Sequence, residues 1–428
     1  MTTAVSQNNE ESSFKDVFKN KNFVKLLFGQ TFSNFGDAVF RISIVLYVYS
    51  LTGSKTEMTL VLAAQTLPWI LIGPISGVFA DRISRKLIMV SSDILRAISI
   101  ISIPFIHNLY FLLVIAFLDG VGSASFASPR SAAIPEMVGL KLYVKAISIS
   151  RLIFQTFAVL GPLVAAPIYA FFGPPAFWIV SGCYLLSGLV IFFTLIPSAS
   201  REKESITVNT VYSDLKEGIT FIFKHKIINV LILLFTVLVI GSAFAGPLLY
   251  PWIFEVRYGS NFLFENLAQT EYGIIGAIIA LGTVVGNLLF GKYERKIGRS
   301  RAIISGALSL VVYYLIFQFT TSIYIIGVFG FFMGTLNGMM SLSINAYFAE
   351  EVPNEVRGRA YSATNAYIQV FSFSCLSVSG LTADAIGITN TMMIASIIIF
   401  LGTLFLTIWT KKFQFSKLII PTSGVIGD

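Results

Sequence analysis

"GVFADRISRK", residues 77–86, places four charged side chains within ten residues of a chain that is only 12% charged. Long apolar runs precede and follow it, in a sequence that is 55% hydrophobic. A helix that crosses a bilayer needs roughly 20 mainly apolar residues. The stretch is therefore predicted to be a short polar loop between two membrane-spanning helices.

Apolar runs of this kind recur along nearly the whole chain, which predicts an all-α membrane protein. A membrane β-barrel would instead show segments of ~10 residues with alternating polarity. The first dozen residues are polar and net acidic, which is typical of neither a signal peptide nor a transit peptide. Twelve spans are expected, at residues 24–49, 57–80, 86–106, 109–129, 145–171, 174–196, 227–250, 269–292, 300–319, 323–347, 359–385 and 388–410.

One long charged segment, residues 197–226, divides the twelve spans into two sets of six. It is predicted to be a linker with a short amphipathic helix at the membrane surface. The expected organisation is an N-terminal tail (1–23), a first six-helix bundle (24–196), the linker (197–226), a second six-helix bundle (227–410) and a C-terminal tail (411–428).

The positive charges predict the orientation in the membrane. Twenty-five of the thirty lysines and arginines fall in the tails and the even-numbered loops, whereas Lys55 and Arg257 alone fall on the other side. Since cytoplasmic loops are rich in Lys and Arg, both tails and the linker are predicted to be cytoplasmic. The excess of positive charge then reflects topology, and nucleic acid is not expected as a partner.

A second charged loop, "GKYERKIGRSR" (291–301), stands at the corresponding place in the second set of spans. Alignment of the two loops without a gap superposes Gly77 on Gly291 and Arg85 on Arg299. The same alignment places Asp81 on Arg295, so the acidic residue of the second loop is displaced by one position. The two loops predict that the two halves are structurally related.

The first loop resembles the signature between spans 2 and 3 of the major facilitator superfamily, carried here by Gly77, Asp81, Arg82, Arg85 and Lys86, with Ser84 where glycine is usual. The resemblance implies two pseudo-symmetric six-helix bundles that rock about a central site. It also implies that both loops, with Gly291, Arg295 and Arg299 in the second, act in the conformational switch. Asp81 is then expected to reach the N-terminal end of span 11, which has a positive dipole.

Further stretches resemble the branch that holds macrolide-efflux proteins and the enterobactin exporter. They are the first span, "SSDILRA" (91–97), "ASPRSAAIPEMV" (127–138) and "VPNEVRGRAYS" (352–362). Gly161 and Pro162 are similar to the Gly-Pro motif of the antiporters in the superfamily, although alanine replaces later glycines of that motif. Ala116 stands where many drug/proton antiporters carry arginine.

Charged residues inside predicted spans are candidates for function, because a charge at the bilayer centre costs at least ~2.5–3.5 kcal/mol. Asp37 and Arg41 lie one turn apart on span 1. Either they form a local ion pair, or Asp37 is a titratable group that lines the transport pathway. Asp119 is expected either to accept a proton in the transport pathway or to pair with Arg41 or Arg151 across the bundle. A functional role and a structural role are equally compatible with its position.

Asp93 and Arg96 on span 3 are expected to form a structural ion pair that braces the loop between spans 2 and 3. Arg151 is expected to meet Asp119 or an acidic residue of that loop. Asp384, near the outer end of span 11, is expected to be solvated.

Motifs for enzymatic chemistry are missing from the sequence. There is no GxxxxGK[ST] phosphate loop and no Gly-x-Ser-x-Gly elbow, and the two histidines and two cysteines do not have metal-ligand spacing. The chain is therefore not expected to be an enzyme or to bind a cofactor or a metal.

The sequence and the resemblance together predict a secondary active exporter of lipophilic or amphiphilic small molecules, such as drugs or a siderophore, driven by protons. The expected location is the plasma membrane, with membrane lipids around a monomer. A transporter of lysophospholipids or other lipids with the same fold is the first alternative. A membrane receptor or scaffold that transports nothing is the second.

Overall fold

The computed structural model describes residues 14–73, 75–76, 83–197, 220, 224, 226–353 and 357–412. Within these ranges the chain is helical apart from short connections. Gly77, Asp81 and Arg82 of the first charged loop lie outside the described residues, as do most of the linker and most of both tails.

The described residues form twelve helices of seventeen residues or more, preceded by a short helix at Phe14–Phe18. In chain order they are α1 (Lys21–Thr52), α2 (Lys55–Leu71), α3 (Arg85–Ile101), α4 (Leu109–Val138), α5 (Leu140–Phe172), α6 (Ala176–Phe192), α7 (Lys226–Ala245), α8 (Glu265–Ile297), α9 (Arg299–Ile316), α10 (Ile323–Glu351), α11 (Arg357–Ile386) and α12 (Ile388–Lys412). Each predicted span corresponds to one of these helices.

Polar side chains define where several of the helices begin. Asn20, Ser54, Ser84 and Asn108 precede α1, α2, α3 and α4, and each accepts a hydrogen bond from a backbone N–H of the first turn. Such caps satisfy N–H groups that have no partner within the helix. Polar residues just before these apolar runs therefore mark where the helices start.

Nine helical segments of the described residues are long and apolar enough to cross a membrane, and α5, which bends by 41°, makes a tenth. The α2 and α6 helices have only 17 residues each, whereas α3, of the same length, is extended by a helical turn that ends at Phe105. These segments establish a multi-pass helical membrane protein, and the twelve helices are consistent with twelve spans.

The helices pack as two bundles of six. In the first bundle α1 packs on α5 and α6, and α3 packs on α4 and α6. In the second bundle α10 packs on α8 and α9, and α12 packs on α7 and α9. The bundles meet where α2 packs on α11 and where α5 packs on α8.

The alignment of the two charged loops can be extended along the chain at the same offset. It then superposes residues that make equivalent contacts in the two bundles. A methyl group on Gly120 of α4 would meet the backbone oxygen of Gln65 on α2, and one on Gly334 of α10 would meet that of Ile279 on α8. Glycine lets each helix pair approach closely. The two halves therefore use equivalent residues to bring equivalent helices together.

Candidate functional site

A central cavity of about 510 Å³ lies between the two bundles. It is bounded by α1, α2, α4 and α5 of the first bundle and by α8, α11 and the chain that follows α7. The described residues that line it are Asp37, Arg41, Ile42, Val45, Leu62, Gln65, Thr66, Trp69, Ser123, Phe154, Gly246, Pro247, Tyr272, Gln369, Ser372 and Leu376. Asp37 and Arg41 are the only charged side chains among them.

Arg96 of α3 lies behind this cavity, in the interior of the first bundle, with 1% of its side chain exposed. Gly122 of α4 makes room for it, since a methyl group there would lie 2.6 Å from Arg96 Cδ. The guanidinium plane packs over the ring of Tyr184, with Cζ 3.8 Å from the ring centroid. The absence of a side chain at Gly122 thus leaves space for the long charged side chain of Arg96.

The Arg96 guanidinium is bound by groups from three other helices. It donates to Asp37 Oδ1 on α1, to Asp119 Oδ1 on α4 at 2.9 Å from Nε, and to the Tyr184 hydroxyl on α6 at 2.5 Å. Tyr184 in turn donates to Asp37 Oδ1 at 2.9 Å. Gln65 of α2 donates to the second oxygen of Asp119 at 2.8 Å. These contacts hold the first bundle together around one cation.

Asp93 is the third carboxylate of this group and is fully buried. It accepts hydrogen bonds from Ser187 at 2.6 Å and from Ser33 at 3.5 Å, and its nearest oxygen is 3.9 Å from Arg96 Nη1. The Asp93–Arg96 contact exists, but Arg96 makes its shorter bonds to Asp37 and Asp119. The pair lies inside the acidic cluster, which we define as Asp37, Asp93 and Asp119 around Arg96.

The acidic cluster has an unbalanced charge, because three carboxylates surround one guanidinium. Ionised carboxylates in a low-dielectric interior are costly unless each is paired. Asp93 and Asp119 are sealed from solvent, whereas Asp37 keeps 36% of its side chain exposed at the cavity wall. Asp37 is therefore the member of the acidic cluster that reaches the cavity.

Arg41 and Arg151 do not have the partners that the sequence suggested. Arg41 is exposed and forms no ion pair with Asp37 or with any other residue of the described ranges. Asp119 is bound by Arg96 and Gln65, so neither Arg41 nor Arg151 reaches it. Arg151 is likewise exposed, without an ion pair to a described residue.

The described part of the first charged loop is bound within its own bundle. Arg85 donates to Glu136 at the end of α4 at 2.6 Å and to the Ala132 carbonyl at 3.1 Å. Lys86 Nζ lies 5.1 Å from the ring centroid of Phe192. The bond to Glu136 joins the start of α3 to the last turn of α4.

The second charged loop repeats this arrangement. Arg299 donates to Glu350 at 2.5 and 2.9 Å, and to Glu294 at 2.5 Å. The gap-free alignment of the two halves superposes the pair Arg85–Glu136 on the pair Arg299–Glu350. Gly291 and Arg295 are exposed. An equivalent pair therefore fastens the equivalent loop in each bundle.

A second group of charges joins the two bundles at the face where α1 ends and α2 begins, which we call the opposite face. Lys55 Nζ lies 2.7 Å from Glu255 and 3.4 Å from Asp384. Thr56 donates to Asp384 from its backbone N–H at 2.9 Å and from its hydroxyl at 2.6 Å, and Tyr49 donates to Glu255. Asp384 is exposed to solvent, as expected, and it is also bound across the interface, which the sequence did not indicate.

The Gly-Pro motif of α5 lies where helices approach closely. A methyl group on Gly161 would lie 2.7 Å from Ala38 Cβ on α1. Pro162 faces the second bundle, where glycines 273 and 276 of α8 leave room for it. The motif thus joins α5 to α1 within the first bundle and to α8 across the interface.

The described residues contain no group of three or more His, Cys, Asp and Glu side chains arranged to hold a metal ion. The two cysteines, which lie in different bundles, are unbonded. The candidate site is accordingly built from carboxylates, guanidinium groups, amides and aromatic rings.

Comparisons with known proteins agree with this architecture. The family model described as Major Facilitator Superfamily matches residues 26–265 and 258–418. An uncharacterised MFS-type transporter of Bacillus subtilis, YfiS, is 25% identical over 96% of this chain and 98% of its own length. Macrolide efflux protein A of Streptococcus pyogenes is 23% identical over 88% of this chain and 93% of its own length. Among solved structures, that of the nucleoside transporter NupG has a TM-score of 0.72 and 10% identity, over 91% of this chain and 99% of that one.

Proposed function

Because the chain belongs to the major facilitator superfamily, we propose that it is a secondary active exporter of lipophilic or amphiphilic small molecules, driven by protons. The cargo binds in the central cavity, and the two bundles rock to open that cavity to one side and then to the other. The resemblance to a macrolide efflux protein supports the direction of transport.

The observation that carries this proposal is the position of Asp37. It connects the cavity to the buried acidic cluster, since its Oδ1 accepts hydrogen bonds from Arg96 and Tyr184 while part of the side chain stays exposed. A proton that binds Asp37 weakens its attraction to Arg96, and so changes the contacts that hold α1 against α3. Proton binding and helix position are thereby coupled at one residue.

The face that carries most of the positive charges is the cytoplasmic face in this proposal, following the distribution of Lys and Arg. The contacts of Lys55 with Glu255 and Asp384 then close the extracellular side. The described arrangement corresponds to the conformation that loads cargo from the cytoplasm.

The test is an efflux assay in a bacterial strain that lacks its own major pumps. The wild-type chain, Asp37→Asn and Glu57→Gln are expressed at matched membrane levels, and accumulation of erythromycin, ethidium and a catecholate siderophore is measured with and without a protonophore. Glu57 is the matched control, because it is a partly buried carboxylate of α2 that makes no ion pair with a described residue.

We expect the wild-type chain and Glu57→Gln to lower accumulation of at least one compound, and the protonophore to abolish this effect. Asp37→Asn should reach the membrane but fail to export. Export that is unaffected by the protonophore, or that survives in Asp37→Asn at the wild-type rate, would contradict the proposal. A chain that moves neither these compounds nor a small zwitterionic amphiphile would favour a lipid transporter or a receptor.

A further inference from the structure

Two opposite charges on the cavity wall have unused binding capacity. Asp37 receives both of its hydrogen bonds at Oδ1, and no described residue donates to its Oδ2. Arg41, one helical turn further along α1, makes no hydrogen bond or ion pair to a described residue, although its charge lies close enough to interact with Tyr272 of α8 in the same cavity. The two side chains line the same cavity but are not bound to each other.

Asp37 and Arg41 are close enough on one helix face to pair with each other, yet they do not. This arrangement indicates a site for a ligand that binds both charges. Arg96 and Tyr184 hold the Asp37 carboxylate towards the interior of the bundle instead. Among the described residues Arg41 consequently has no anionic partner, and charged residues within membrane-spanning helices are usually functional. An anionic group on a bound molecule would supply its partner.

We infer that the cavity selects a small zwitterionic amphiphile, whose cationic amine binds Asp37 Oδ2 and whose carboxylate binds Arg41. The inference rests on the proposed transport function and specifies the class of cargo. A guanidinium can bind a carboxylate through two parallel hydrogen bonds, which fixes the orientation of the bound group.

The rest of the cavity suits the apolar part of such a molecule. Trp69, Phe154 and Tyr272 supply aromatic surface from both bundles, and Leu62 and Leu376 supply aliphatic surface. A volume of about 510 Å³ falls in the range of ~300–1,000 Å³ that is usual for small-molecule sites. A compact aromatic or branched aliphatic body fits this lining better than a long polar one.

Proton coupling follows from the same geometry. A proton and the amine of the cargo compete for the Asp37 carboxylate, so protonation from one side favours release of the cargo there. The carboxylate of the cargo stays with Arg41, which remains charged. Such competition at one residue is what an exchanger of protons for cargo requires.

The test uses four probes that share one apolar body and differ only in charge. They are naphthylalanine (a zwitterion), its methyl ester (a cation), N-acetyl-naphthylalanine (an anion) and the N-acetyl methyl ester (neutral). Binding to the purified full-length protein in detergent is measured by calorimetry at about pH 6, where the amine of the ester is charged, without any gradient. Wild type, Arg41→Gln and Asp37→Asn are compared, after thermal unfolding shows that each variant is folded.

We expect naphthylalanine to bind the wild type most tightly. Each charged group should add about tenfold in affinity, which corresponds to about 1.4 kcal/mol per group. Arg41→Gln should remove the gain from the carboxylate and keep the gain from the amine, and Asp37→Asn should do the reverse. Equal affinity for the four probes, no measurable binding of naphthylalanine at millimolar concentration, or the same charge preference in both variants would overturn the inference.

Lysophosphatidylethanolamine, a zwitterionic lipid, is added as a competitor to separate a lipid headgroup from a small zwitterion. Displacement of naphthylalanine only at lipid concentrations far above those of the probe supports the small-molecule cargo. Tight binding of the lipid together with weak binding of naphthylalanine would overturn it in favour of a lipid. If a variant fails to fold, the comparison of the four probes on wild type still decides between these outcomes. Failure of the efflux assay would leave these binding results unchanged, so the two proposals can fail separately.

Discussion

Replacement of Gly380 by alanine tests how the opposite face is held closed. Gly380 of α11 packs directly against the first turn of α2. A methyl group there would lie 2.5 Å from Thr56 Cα and nearer still to the Lys55 carbonyl oxygen and the Thr59 hydroxyl. Carbon atoms in contact prefer about 3.5–4.0 Å, so the two helices must separate by roughly 1 Å or more.

The cost of that separation applies only to the conformation in which α2 and α11 meet. Overpacking of this kind costs about 1–3 kcal/mol. If the conformation open at the opposite face relieves the clash, its population relative to the closed conformation should rise roughly 5- to 150-fold. The shift should appear without loss of the fold, since the contacts within each bundle do not involve this interface.

The assay is a distance measurement by pulsed electron paramagnetic resonance. Spin labels are placed on cysteines that replace Tyr110 and Ile386, which are exposed on different bundles near the opposite face, in a chain without Cys183 and Cys375. Gly380→Ala should add a longer-distance population. Gly182→Ala is the control, since a methyl group at that position meets nothing within 4 Å. Identical distance distributions for the two variants would refute this account of the interface.

Three further substitutions are expected to have measurable effects. Arg96→Met should lower the free energy of unfolding by about 3–5 kcal/mol, because it leaves buried carboxylates unpaired; denaturant titration in detergent checks this, and an unchanged midpoint would contradict it. Lys55→Met should lengthen the same spin-label distance as Gly380→Ala, because it breaks the bonds to the second bundle. Arg85→Gln should destabilise the protein more than Arg299→Gln, since Arg85 is 6% exposed and Arg299 is 23% exposed; equal thermal midpoints would count against this reasoning.

The charged loops show what a sequence can predict when its two halves are related. One gap-free alignment superposes Arg85 on Arg299, and the structure has the matching acids, Glu136 and Glu350, in the same register. The number of helices followed from apolar runs of sufficient length, and the family followed from the first loop. These features depend on residues that are close in sequence or that repeat at a constant interval.

The acidic cluster could not be assembled in the same way. Helical spacing identifies neighbours one turn apart, so Asp37 suggested Arg41 and Asp93 suggested Arg96. The structure instead brings Asp37 and Asp119 to Arg96, because helices α1 and α4 both pack against the bundle interior around α3 and α6. The choice of partner depends on helix rotation and packing, which a single sequence does not specify.

The contacts at the opposite face were missed for a related reason. Lys55 is one of only two cations predicted on that side, but its partners Glu255 and Asp384 belong to the other half of the chain. The signal that could have indicated them was the rarity of positive charge on that side, since an isolated lysine among acids of the other half is a candidate for an ion pair. Gly380 and the first turn of α2 then complete the interface.

The central claim is that Asp37 couples protons to the movement of cargo. The most direct measurement compares two modes of transport in proteoliposomes, with a compound identified in the efflux assay at saturating concentration. Exchange of labelled for unlabelled cargo needs no gradient, whereas accumulation against a concentration difference needs proton coupling. We predict that Asp37→Asn retains exchange and loses accumulation driven by a pH gradient; accumulation by Asp37→Asn at the wild-type level would contradict the account.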